Sequence, residues 1–106
     1  MIEPINMTVN GRVILDSNPF TSVKNIHEMF SEINGDLSLM GTQISDGFAD
    51  ILKIKKLKFV ATLGNSIVTQ HQIFVILNKL LPVTNEAQAL MQFQDAMYEA
   101  GLEDYL

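Results

Sequence analysis

The period of apolar and polar positions changes several times along the chain. In "INMTVNGRVIL", Ile5, Met7 and Val9 alternate with Asn6 and Thr8, the two-residue period of a strand. Asn10-Gly11 follows, a pair that tolerates the positive φ of a tight turn, and Val13, Ile14 and Leu15 form an apolar return. The pattern predicts an N-terminal β-hairpin over residues 5–15.

From Phe20 the spacing becomes three and four. Phe20, Val23, Ile26, Phe30 and Ile33 fall on one helical face. Asn18-Pro19 supplies a cap with a first-turn proline, and Asn34-Gly35 a left-handed stop. A helix over 19–34 is therefore expected. Leu37, Met40, Ile44, Phe48, Ile51 and Leu52 keep the spacing and predict a second helix over 37–54, despite the helix-weakening Gly41 and Gly47. From Leu57 the residues alternate again and Gly64-Asn65 offers a turn, so a second hairpin is predicted over 57–68. The competing reading continues the helix to Leu63, but it would bring Lys55 onto the apolar face.

Thr69 with Gln72 has capping-box spacing and Pro82 supplies a stop. They bracket a third helix over 70–81, whose run Ile73-Phe74-Val75-Ile76-Leu77 is apolar on every side. Asn85 with Gln88 repeats the capping spacing, and Gly101 suits a C-terminal cap, giving a fourth helix over 85–100. No internal repeat, linker or low-complexity tract is legible. The elements sum to a helix-rich α+β fold in a single domain, 1–106, with frayed ends.

Composition narrows what such a fold does. The chain has 106 residues, 47% of them hydrophobic, which suits one domain and excludes wholesale disorder. It contains no cysteine, which excludes disulfide frameworks, thiolate zinc sites and cysteine nucleophiles. No secretory leader opens it, and its longest run of large apolar side chains is far short of the ~20 residues that span a bilayer. A cytoplasmic location follows as the expectation, in a host cytoplasm or a virion if the protein is viral.

The formal net charge is −5, and the four lysines of "KIKKLKF" leave −9 on everything else. From Glu86 onward there are five acidic residues and no basic one. Such a field disfavours nonspecific nucleic-acid binding, whose affinity comes from neutralised phosphates.

Candidate chemistry is sparse. His27-Glu28 begins "HEMFS" but lacks the second histidine of a helical zinc site, and His71 stands alone. Asp46 with Asp50, and Glu28 with Glu32, are four apart and would share helix faces. Paired carboxylates can do acid–base work or hold a divalent cation, yet at this spacing they are usually solvated. No nucleophile elbow, S-x-x-K string or phosphate loop occurs. No enzyme activity, metal or cofactor is expected.

Lys53, Lys55, Lys56 and Lys58, beside Phe59, admit three readings: a solvated or edge-protecting face, a contact for an acidic protein surface, or a phosphate or nucleic-acid site. With no arginine for bidentate recognition and one aromatic for stacking, the last is the weakest. The sequence therefore predicts a non-enzymatic protein–protein interaction or assembly subunit that self-associates. The lysines and Phe59 would meet Glu99, Glu103 and Asp104 of another copy, and Phe74 would be shared between core and interface. Small viral or phage structural and accessory proteins fit this class. The alternatives are a nucleic-acid or nucleotide-binding protein using Lys53 to Phe59, or an inhibitor of a host protein.

Overall fold

The computed structural model describes residues 7–18, 21–62 and 68–106. The fold is α+β, with its extended elements in the first two thirds and its two long helices at the end. Strands β1 (Met7–Asn10) and β2 (Val13–Ile14) flank Asn10-Gly11 but do not pair with each other. β1 pairs in parallel with β3 (Phe30–Asn34). β2 pairs in parallel with β4 (Asp36–Ser38), and β4 with β5 (Phe59–Ala61). Partners stand 23 or 24 positions apart: Met7 faces Phe30, Asn10 faces Asn34, Val13 faces Leu37 and Leu37 faces Val60. Isolated bridges Ser22–Asp46 and Glu32–Lys55 keep this offset.

The chain is thus wound into stacked coils. The first is described over 7–18 and 21–29, the second covers 30–53, and the third is described from 54 to 62. A one-turn helix α1 (Ile26–Met29) ends the first coil and a 3-10 turn, Phe48–Lys53, ends the second. This winding corrects several expectations. The hairpin over 5–15 is a coil corner, and the helices over 19–34 and 37–54 are passes of the coil. The hairpin over 57–68 is replaced by β5, which runs parallel to β4; its Gly64-Asn65 turn lies outside the described residues, as do Asn6, Pro19 and Phe20.

The helical reading failed for a definable reason. In a coil, side chains enter the core with a strand's two-residue alternation, broken by corners that use up extra residues. Inward positions then recur three and four apart, like those of a helix face. Of the positions expected to face inward, Val23, Ile26, Phe30, Ile33, Leu37, Ile44, Phe48, Ile51 and Leu52 are all buried. The core residues were legible and the backbone carrying them was not.

A repeat unseen in the sequence also becomes visible. Val9-Asn10-Gly11-Arg12-Val13-Ile14-Leu15 stacks on Ile33-Asn34-Gly35-Asp36-Leu37-Ser38-Leu39. At this corner Asn34 Nδ2 donates to Asn10 Oδ1 at 2.8 Å. A Cβ on Gly35 would overlap the Gly11 carbonyl oxygen, so glycine lets one corner nest under the other. Asp16 also ties the coils together, accepting from the Ser38 hydroxyl and, at 3.0 Å, from the Met40 N–H.

Helices α2 (Val68–Leu80) and α3 (Glu86–Glu99) agree with the segments expected at 70–81 and 85–100. Asn85 caps α3, its Oδ1 accepting from the Gln88 N–H at 3.0 Å. Gly101, at φ 71°, ends it, and the Leu102 N–H returns to the Met97 carbonyl at 2.8 Å. Where a frayed tail was expected, Glu103–Tyr105 forms a 3-10 turn. The Thr69 side chain lies outside the described residues. Phe74 of α2 packs edge-on against Phe48, ring centres 5.6 Å apart, and α3 lays Phe93 and Met97 into the same core.

α2 also closes the end of the stack. Asn78 Oδ1 accepts from the Val60 N–H at 2.8 Å, and Asn78 Nδ2 donates to the Val60 carbonyl at 3.0 Å. One side-chain amide thereby supplies β5 with the two bonds that a further strand would make.

Candidate interaction surfaces

The lysine segment forms the corner by which the chain enters its third coil. Lys53 ends the 3-10 turn, with its Nζ 3.1 Å from Asp50 Oδ1. Lys55 joins the coil above through its backbone, donating to the Ser31 carbonyl at 2.9 Å and accepting from the Ile33 N–H at 3.0 Å. Lys56 turns the corner at φ 64° and places its Nζ 3.8 Å from Glu32 Oε2. The Lys58 N–H donates to the Gly35 carbonyl at 3.0 Å. Lys53, Lys55 and Lys56 line a cleft of about 260 Å³, opposite Val83, Thr84 and Glu86.

Carboxylates of the same molecule therefore already attend part of the basic run. Lys55 and Lys58 are exposed and form no ion pair among the described residues. Phe59 beside them is 48% exposed and borders a groove of about 420 Å³ that includes His71 and Val75 of α2. Phe74, expected at an interface, is buried in the core instead; Val75 is the large apolar side chain of α2 that is exposed.

The acidic residues gather at the far end of α3. Asp95 and Glu99 on the helix, and Glu103 and Asp104 in the following turn, are exposed. Tyr98 at 58% and Met91 at 64% exposure lie seven positions apart on one outer face of α3. Tyr105 and Leu106 are exposed next to the acidic turn. Glu86, beside the lysine cleft, and Glu99 are the first and last residues of α3, so the two surfaces stand about 20 Å apart along its axis.

The paired carboxylates do not form the helical pairs expected of them. Asp46 lies in an extended bridge and Asp50 in the 3-10 turn, while Glu28 is on α1 and Glu32 on β3. Among the described residues, no three of histidine, aspartate and glutamate converge as a metal site requires.

Asp50 has a different task. Burial pushes its carboxyl up, but the Asn25 N–H at 2.7 Å, the Lys53 ammonium and the charge of His27 outweigh this and hold it below the ordinary value. Its hydrogen bond fastens Asn25 in a left-handed conformation at φ 64°, just ahead of α1. This role was not read from the sequence, nor was that of Asn78. The recurrence of Asn-Gly at 10–11 and 34–35 was the one signal that pointed to either coil.

Fold and surfaces together define a coil-stacked α+β protein, closed by helices at one end and divided in charge. No protein-family model matches the chain, and neither a curated protein nor a solved structure matches it. No helix among the described residues is long and apolar enough to cross a membrane.

Proposed function

We propose that the protein is a non-enzymatic assembly subunit that associates with itself head to tail. The basic surface of Lys55, Lys58 and Phe59 on one copy meets the acidic surface of Glu99, Glu103 and Asp104, with Tyr98, on the next. The observation that carries this reading is the separation of Lys55, in the cleft beside Glu86 at the start of α3, from the acidic residues at the end of that helix. They are too far apart to neutralise each other within one molecule, which leaves both free to meet another copy. Both carry half-exposed aromatic rings, which supply apolar area and a face for a lysine ammonium. A heterologous contact of this kind closes into a ring or continues as an open chain. Such a subunit suits a small viral or phage structural or accessory protein.

Native mass spectrometry and sedimentation at low and high salt test it. Oligomers are expected at low salt and dissociate as salt screens the contact. The pair Lys55→Glu/Lys58→Glu should be monomeric, as should Glu99→Lys/Asp104→Lys, while an equal mixture of the two should form hetero-oligomers in which the variants alternate. A wild-type protein that stays monomeric at every salt concentration sinks the reading.

A second reading rests on Lys55, Lys58 and Phe59 alone, two charges without an ion pair among the described residues beside one stacking ring, which together suit single-stranded nucleic acid. Fluorescence anisotropy with a labelled oligonucleotide at low salt decides it, and no rise on titration removes it.

A further inference from the structure

The two Asn-Gly corners share a sequence and differ in surroundings. In an Asn-Gly pair the glycine nitrogen can reach the asparagine's own side-chain carbonyl, and no Cβ on the glycine screens its approach. The thermal lability of asparagine rests on this reaction. Asn10 and Gly11 are both exposed, and Gly11 holds φ at 117°. Asn34 and Gly35 are half-buried, and Gly35 lies against the Gly11 carbonyl.

One hydrogen bond joins the two asparagine side chains and treats them unequally. Asn34 Nδ2 donates to Asn10 Oδ1 at 2.8 Å and to Glu32 Oε2 at 3.0 Å. An ionised carboxylate only accepts, so Glu32 fixes which end of the Asn34 amide faces Asn10. At Asn10 the donor sits on the carbonyl oxygen, where negative charge develops when a nucleophile adds to Cγ. At Asn34 both bonds leave from the nitrogen. They hold the leaving group in place, and they keep the Glu32 carboxylate near the negative charge that addition would create. The same contact therefore activates Asn10 and protects Asn34.

We propose that Asn10 is a site of self-modification, with Asn34 as its oxyanion donor. The Gly11 nitrogen gives its proton to hydroxide and bonds to Asn10 Cγ, closing a succinimide ring. The bond from Cγ to Nδ2 breaks, and that nitrogen leaves as ammonia after taking a proton from water. Water then adds to either ring carbonyl and the ring opens to aspartate or isoaspartate. Nothing is oxidised or reduced: an amide and water become an acid and ammonia.

Either product alters the corner. Aspartate brings a second carboxylate to the Asn34 amide, which already serves Glu32. Isoaspartate routes the chain through Cβ and Cγ and lengthens the backbone between β1 and β2. This strains the register between the Asn10–Asn34 and Val13–Leu37 pairs. Conversion of one exposed residue thus loosens the first coil with time. It draws on none of the residues of the head-to-tail contact.

The test incubates the intact protein in mildly alkaline buffer, where the Gly11 nitrogen is more readily deprotonated. Both corners are followed by peptide mapping with mass spectrometry, the isoaspartyl and aspartyl peptides being separated chromatographically. In the folded protein Asn10 should convert at least about tenfold faster than Asn34, the factor that one hydrogen bond to a developing charge supplies. In guanidinium chloride, where the corners unstack, the two should convert at similar rates. Asn34→Ala should slow conversion of Asn10 about fivefold or more, whereas a merely structural clamp, once removed, would speed it. Asn34→Leu fills more of the space without a donor and should slow it equally, with folding of both variants checked by circular dichroism. Equal conversion of the two corners in the folded protein overturns the proposal, as does faster conversion of Asn10 in a folded Asn34 variant.

Discussion

At the scale of single residues, two polar side chains do work that apolar packing cannot. Asn78 satisfies a backbone N–H and a carbonyl that are turned away from the sheet and partly buried. Replacing it with alanine strands both groups, at an expected cost of about 2–3 kcal/mol. Urea denaturation of Asn78→Ala measures it. Asn78→Asp should recover only part, since a carboxylate accepts from the Val60 N–H but cannot donate to its carbonyl. Asp50 predicts a pH dependence. Its folded pKa lies below the usual 3.8, so its ionised form stabilises the fold above that value. The contribution disappears as pH falls through the folded pKa. Asp50→Asn should therefore be less stable than wild type at pH 6, with a gap that narrows below about pH 4. Denaturation midpoints across that range check the sign.

At the scale of elements, the long helices and the coils differ in what the sequence reveals. α2 and α3 were legible because their signals are local: a capping asparagine at 85, a stop before Pro82, a glycine at 101. The coils are held by pairs 23 or 24 residues apart, which no local window contains. The Asn-Gly corner announces itself twice, at 10–11 and 34–35, but the third pass has Leu57-Lys58 in its place, and two copies do not stand out as a repeat. Gly35 was read as a helix stop, and Gly41 and Gly47 as tolerated flaws in a helix. At 35 and 47 they are sites of backbone contact between coils. Gly35→Ala should therefore cost more than 1 kcal/mol, the ordinary loss from overpacking, although alanine is the better helix former. Thermal denaturation of the variant measures the loss.

At the scale of the whole molecule, α3 is the lid of the core. Phe93 is buried against the coils, and α3 packs on the 3-10 turn that ends the second coil. Phe93→Ala is expected to cost about 3–5 kcal/mol, much of the margin of a domain this size. Helix content by circular dichroism and amide protection in β4 should be lost in the same transition, because one core joins the helices and the coils. Two separated transitions would show that they unfold independently. The candidate surfaces were half legible: the sequence marked the lysines and the acidic end, but not that Lys53 and Lys56 have carboxylate neighbours or that Phe74 is interior. The Lys56–Glu32 pair joins two coils and depends on their register, and the Lys53–Asp50 pair depends on the 3-10 turn; both were hidden.

The Asn78 contact carries an implication for how this architecture varies in length. It recognises one strand residue and nothing of what lies behind it. A stack lengthened or shortened by one full turn would offer α2 the same pair of backbone groups. Insertions of 23 or 24 residues should thus be tolerated as whole modules, while an insertion of half that length would rotate the final strand out of the amide's reach. Natural size variants of such a chain are then expected to differ in discrete steps, with the helical lid unchanged.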